Sequence, residues 1–231
     1  SGRQGQVKGP LIVAIDGPSG AGKSTAARAL AERLHVPYID TGAMYRAIGL
    51  AARKQGIGLP IADPDSVAAI AESARLGVEL SPQGNRISID GRDVTEEIRQ
   101  PEISLYASAV SAIPGVRKRL VAEQQRLARS GGGVIEGRDI GTKVFPETPF
   151  KFFLTASPAV RVERRTRELA ERGSPQPYAE VLADMKRRDR DDSSRAESPL
   201  TLDGSYTVID SSGRDVEDVV AEMERRVRAA G

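Results

Sequence analysis

The chain has no cysteine and no tryptophan, it holds one histidine and one asparagine, and aromatic residues make up only 4% of it. Without cysteine there are no disulfides and no thiolate metal sites, a composition that fits a cytoplasmic protein. Few aromatics leave little surface for stacking on bases, and a net charge of +2, from 34 basic and 32 acidic residues, supplies no strong basic field. Both features argue against a dedicated nucleic-acid binder. No apolar run is long enough to cross a bilayer, so no membrane role is expected. Ser1-Gly2 reads as a cleavage scar, and residues 1–9 are expected to be a disordered tail. What is present is the substance of one soluble domain: 231 residues, 39% hydrophobic and 29% charged. Lysine occurs at seven positions, so 27 of the 34 basic residues are arginine. Planar guanidinium forks suit phosphate, although a GC-rich genome produces the same bias.

Hydrophobic periodicity divides the chain into strands and helices. A strand at 11–15 leads to a helix ending near Leu34, and 37–39 is a short second strand. A helix over about 43–54 follows, then one with Pro64 in its first turn and Val67, Ile70, Ala71 and Ala74 on one face. Segments 77–80 and 86–90 flank a Pro82-Gln83-Gly84-Asn85 turn and read as a β-hairpin, closed by Val94 and Ile98. Helices resume at about 101–112 and 114–129, and His35 is expected to cap the first helix. Strands at 133–135, 150–154 and 206–209 and a last helix at 216–227 complete the pattern. Strands separated by helices imply an α/β fold with a parallel five-stranded sheet covered on both faces.

One loop carries the clearest chemistry. Gly17-Pro18-Ser19-Gly20-Ala21-Gly22-Lys23-Ser24 follows the first strand and, through Thr25, enters the first helix. Strand, glycine-rich loop and helix in that order form a phosphate cradle of backbone N–H groups. Lys23 is placed to reach the β- and γ-phosphates of a nucleoside triphosphate, and Ser24 to offer its hydroxyl to Mg²⁺. In parallel sheets, ligands sit beyond the carboxyl ends of the strands. Two more strands end in polar clusters there: Asp40-Thr41-Gly42-Ala43-Met44-Tyr45-Arg46 and Glu136-Gly137-Arg138-Asp139-Ile140-Gly141-Thr142. Arg188, Asp192 and Arg195 have helical spacing, and form either a binding stripe or an intrahelical salt-bridge ladder.

Together these motifs resemble the bacterial cytidylate (CMP) kinases. The matching pieces are the loop from Ile15 to Ser24, the two polar clusters, Val144-Phe145-Pro146 and the Arg188/Asp192/Arg195 stripe, in the same order from about Leu11 to Val227. The resemblance implies a nucleoside monophosphate kinase-like P-loop fold over 10–231. Its core would be 10–62 and 132–231, with an acceptor-binding insert at about 63–131, β-rich over 77–95, and a short lid at about 168–178. It implies that Thr41, Tyr45 and Arg46 line the acceptor nucleotide, with Arg46 on its phosphate. Ser108, Arg117 and Asp139 would face the base, and Asp192 and Arg195 the ribose and neighbouring phosphate. Arg138 and Arg188 would act with Lys23 on the transferring group. Glu136 and Thr41 stand where some relatives carry Asp and Ser.

The expected reaction is transfer of the γ-phosphoryl group of ATP to CMP, and to dCMP, with Mg²⁺, by a cytoplasmic monomer. The acceptor phosphate, with a second pKa of about 6, is already anionic at neutral pH, so no general base is required. The obstacle is repulsion between two polyanions, which fixed cations offset. Arginines between Arg161 and Arg172 are expected on the lid, whose closure expels competing water. Another small P-loop kinase, acting on a different monophosphate or a polar metabolite, fits the loop equally. A regulatory GTPase requires an Asn-Lys-x-Asp segment, and Asn85 is followed by Arg86. A nucleic-acid binder using the arginine stripe is the remaining alternative, testable by salt-sensitive RNA retention.

Overall fold

The innermost strand, β1 (Ile12–Asp16), is buried at every residue after Ile12. A strand enclosed on both faces needs apolar side chains pointing both ways. Val13 and Ile15 point into one layer and Ala14 into the other. In this computed structural model, which describes residues 9–81, 84–196 and 198–229, β1 lies between β6 (Gly133–Gly137) and β7 (Phe150–Thr155). The edges are β2 (Tyr38–Asp40) beside β6 and β8 (Thr207–Asp210) beside β7. All four pairings are parallel, as expected.

Helices cover both faces. Against Val13, Ile15, Val134 and Phe152 lie α1 (Lys23–Leu34) and α8 (Val216–Ala229), the latter through Val219, Val220, Met223 and Val227. The opposite face, with Ala14, Ile39 and Ile135, is covered by α2 (Thr41–Lys54), α3 (Pro64–Ser73) and α5 (Pro114–Gly131). Thus α3 and α5, assigned to the expected insert, share a core with the main sheet. A second, antiparallel sheet of β3 (Leu76–Glu79), β4 (Arg86–Ile89) and β5 (Arg92–Asp93) packs Ile87 against Ala47 and Leu50 of α2 and Ile103 of α4 (Pro101–Ser111). Its short third strand was not expected. Two residues of the expected hairpin turn, Pro82 and Gln83, and residues 1–8 of the expected tail lie outside the described residues.

Local boundaries follow from caps. α2 starts at Thr41 rather than near Ala43, because the Asp40 carboxylate accepts the Ala43 N–H at 2.9 Å. His35 caps α1 as expected, in a left-handed conformation (φ 54°) with its N–H on Ala31 and Glu32. α6 (Pro158–Glu171) runs unbroken into the expected lid, so the connection to α7 (Tyr178–Ser194) is only 172–177. α7 ends at Ser194, and Arg195 has extended geometry (φ −58°, ψ 134°). Arg195 is thus the C-cap rather than a residue of the helix, but its guanidinium still lies 3.6 Å from the Asp192 carboxylate. Val162, Leu169, Val181 and Met185 hold α6 to α7 in a small core of their own. Among the described residues, no helix is long and apolar enough to cross a membrane.

Candidate active site

The loop between β1 and α1 is shaped by close approach and by donors behind it. A Cβ on Gly17 would lie 2.0 Å from the Leu154 carbonyl oxygen, so only glycine fits where the loop leaves the sheet. Gly22, at φ 89°, turns the chain into α1. The loop carbonyls are then taken up by side-chain donors. Lys23 Nζ donates to Pro18 at 2.8 Å, Arg161 to Ser19 at 3.1 Å, and Ser211 Oγ to Ala21 at 3.0 Å. Arg164 bridges Ala21 and Ser211. A loop whose carbonyls are held in this way keeps N–H groups for an anion. Ser19, Gly20, Gly22, Lys23, Ser24 and Thr25 line the cleft, whereas Gly17, Pro18 and Ala21 lie behind the surface they shape.

The cleft has a volume of about 930 Å³ and opens beyond the carboxyl ends of β1, β2 and β6. Its floor is cationic. Lys23 is buried, and burial together with the charge of Arg138 pushes its ammonium down to about 7. Arg138 donates to the Asp192 carboxylate at 2.7 Å. Burial raises the Asp192 carboxyl, but Arg138 and Arg195 pull it below its ordinary value. Among the described residues, Arg188 has no such partner. Its buried Nε lacks a hydrogen bond, and burial plus the charge of Arg165 push the guanidinium down to about 10, still fully charged at neutral pH. Four cations therefore converge here with fewer acceptors than donors, an arrangement that calls for a polyanion.

Carboxylates stand at the back. Glu136, near the end of β6, is buried, accepts the Tyr38 hydroxyl and lies near the Ser24 hydroxyl. Burial first, then Asp40, raises its carboxyl above the usual range. Asp16, wholly buried, accepts the N–H groups of Ile140 (2.9 Å) and Gly141 (2.8 Å) and the Tyr206 hydroxyl (2.6 Å). It fixes the turn after β6 and so the two residues before it, Arg138 and Asp139.

A second corner of the cleft is neutral overall but strongly dipolar. Arg117 of α5 and Asp139 form a buried ion pair, and Arg117 stacks 5.6 Å over the Tyr45 ring. Ser108 lines the same corner, and Ser111 Oγ accepts from Arg195 at 2.6 Å. Burial raises the Asp139 carboxyl, with Arg117 opposing. Between the corners, Arg46 donates to Asp40 at 3.1 Å and keeps a buried Nε without a partner. Thr41 donates to the Glu136 carbonyl at 2.7 Å.

The structure thus brings all ten residues expected around the acceptor into one cleft: Thr41, Tyr45, Arg46, Ser108, Arg117, Arg138, Asp139, Arg188, Asp192 and Arg195. Of the arginines between Arg161 and Arg172, Arg161 and Arg164 bond the loop backbone, and Arg164, Arg165, Arg167 and Arg172 line the cleft. Sequence reasoning missed Tyr38 and Asn85 as cleft residues. Alternation along β2 places Tyr38 on the α1 side of the sheet, a signal that was available. Nothing local marks Asn85.

Comparison with known proteins agrees with this geometry. The cytidylate kinase family matches residues 13–229. A cytidylate kinase of Pelotomaculum thermopropionicum is 46% identical over 218 residues, covering 94% of this chain and 96% of that protein. One from Symbiobacterium thermophilum is 44% identical over 219 residues, with coverage of 94% and 96%. Among solved structures, an uncharacterized protein from Eubacterium ventriosum superposes with a TM-score of 0.52 at 14% identity over 94% of this chain and 98% of that one, a likeness of fold alone. On the family match across nearly its whole length, the chain belongs to the cytidylate kinase family.

Proposed function

We propose that the protein transfers the γ-phosphoryl group of ATP to CMP or dCMP, yielding ADP and the cytidine diphosphate. The bond from the γ-phosphorus to the bridging oxygen of ATP breaks as a bond to an acceptor-phosphate oxygen forms, and no proton needs to be removed at neutral pH. The observation that carries this reading is the pairing of two unlike corners in one cleft. One holds the cations around Lys23 and Arg188, where the buried Arg188 Nε has no hydrogen bond among the described residues, and the other the buried Arg117–Asp139 pair beside Ser108. Cytosine presents an amino donor next to a ring-nitrogen acceptor, and a carboxylate beside a guanidinium meets both. Uracil reverses that edge and leaves buried groups unpaired.

Lys23 and Arg188 would hold the β- and γ-phosphates, and Arg138 and Arg46 the acceptor phosphate, so that attacking and leaving oxygens line up. Among the described residues, no three carboxylates or histidines cluster as a metal cage. The Ser24 hydroxyl near Glu136 still fits Mg²⁺, which takes few protein ligands and keeps its waters. When bound, Mg²⁺ supplies charge neutralisation on the triphosphate. We read 63–131 as the acceptor-binding insert. We read the lid as the connection 172–177 together with the last two turns of α6, so that it carries Arg165, Arg167 and Arg172. We read the protein as a monomer, and nucleotide substrates suit the cytoplasm. A coupled assay of ADP release with ATP, Mg²⁺ and each common monophosphate tests the reading. CMP and dCMP are expected to be turned over at least tenfold more efficiently than UMP. Preference for another acceptor, or RNA retention without kinase activity, overturns it.

A further inference from the structure

β2 is bonded to the sheet on one side only. Its ladder with β6 uses the Pro37 carbonyl, which accepts the Val134 N–H at 2.8 Å. By alternation, the Tyr38 carbonyl and the Asp40 N–H face away from the sheet. These are two bare backbone groups on an edge, beside the cleft. Asn85 caps both. Its Oδ1 accepts the Asp40 N–H at 2.7 Å, and its Nδ2 donates to the Tyr38 carbonyl at 2.8 Å. A primary amide carries the same donor and acceptor as a peptide unit, so this side chain takes the place of a neighbouring strand. Asn85 is 7% exposed, lines the cleft and directly precedes β4. It joins the edge of the main sheet to the start of the second sheet's central strand.

The two groups it holds belong to residues with further duties. Tyr38 donates its hydroxyl to Glu136, beside Ser24 and Lys23. Asp40 caps α2 and pairs with Arg46 at 3.1 Å. We propose that Asn85 is a positioning residue that latches the second sheet to the edge of β2 and so sets Asp40, and through it Arg46, on the acceptor side of the cleft. The inference rests on reading this cleft as the phosphoryl-transfer site. Without the amide, the Asp40 N–H turns to water and the carboxylate that orients Arg46 loses its fixed backbone. The triphosphate side depends on the loop donors described above and feels little of this.

Asn85→Ala separates the two sides. KM for CMP is expected to rise about tenfold, while KM for ATP and kcat change by less than about threefold. Amide exchange at Asp40, followed by NMR, is expected to be at least about tenfold faster than in the wild type. A KM for CMP that stays put, or equal rises for both substrates, overturns the proposal. The exchange measurement needs no turnover. If the wild type fails to phosphorylate CMP, the functional reading falls, whereas unchanged exchange in the variant removes the latch. Should Asn85→Ala lose its cooperative melt, Asn85→Ser is measured in the same two ways.

Discussion

The two helices that flank the phosphate loop use arginine in opposite ways. On α6, Arg161 is locked in a two-pronged pair with Asp189 (3.0 and 2.6 Å) and in a bond to the Ser19 carbonyl, and Arg164 is spent on Ala21 and Ser211. On α7, Arg188 reaches into the cleft with a buried Nε that nothing satisfies, close enough to Arg165 and Arg138 for their charges to depress its own. The first kind of arginine is scaffold, with its charge and donors consumed by the fold. The second is held at a cost in repulsion and desolvation that only an incoming anion offsets. Burial and composition do not distinguish the two. The inventory of hydrogen-bond partners does.

That contrast breaks most sharply at Lys23, which belongs to both kinds because it bonds Pro18 yet lines the cleft. Lys23→Ala is expected to lower kcat by about a thousandfold with the fold retained, as read by a coupled assay and a thermal melt. Arg188→Ala should lower kcat by about a hundredfold while the melting temperature stays level or rises, since a crowded cation is removed. Arg161→Ala reverses the pattern. A fall of about 5 °C in melting temperature, with a smaller kinetic loss, is expected once Asp189 and the Ser19 carbonyl lose their partner. Similar melting temperatures for the two arginine variants would erase the distinction.

The acidity of Lys23 sharpens the comparison further. Its ammonium sits at about 7 against an ordinary 10.5, so it is largely neutral at pH 8.5 in the unbound protein. Phosphates favour the charged form, and ATP binding at that pH is expected to take up close to one proton. The uptake should fade as pH falls below about 6.5, where the amine is already protonated. Calorimetry in buffers of different ionisation enthalpy reads this directly, and Lys23→Met should abolish it. The same displacement makes the unfolded chain the stronger proton binder between pH 7 and 10.5. Stability contributed through this group therefore rises with pH across that window.

Smaller effects belong to the base corner and to the helix end. Ser108→Ala should narrow the preference for CMP over UMP by about tenfold in kcat/KM. His35→Gly relieves a left-handed residue and should stabilise the protein by at most about 1 kcal/mol without touching kinetics, which denaturant melts will show.

The strand order could be anticipated only as five parallel strands, because periodicity reports which residues are buried but not their neighbours. The glycine loop was legible because its spacing has a single geometric use, and the Asp40 and Glu136 clusters because they end strands. The end of α7 at Ser194 was not legible, yet Arg195, its C-cap, still pairs with Asp192 at 3.6 Å, as their spacing implied. The roles of Arg161 and Arg164 were illegible for a different reason. Their partners, Ser19, Asp189 and Ser211, are separated from them by up to 142 residues.

By itself, the amino-acid order determined the alternation of strands and helices, the phosphate loop and the set of polar residues at the strand ends. Each of these is written in short-range spacing, where sterics and burial act on neighbours along the chain. Only the tertiary structure decided which cations are consumed and which remain available, and that Asn85 closes the edge of β2. Hydrogen bonds and buried charges depend on distance in space, and folding brings together groups that the sequence keeps far apart.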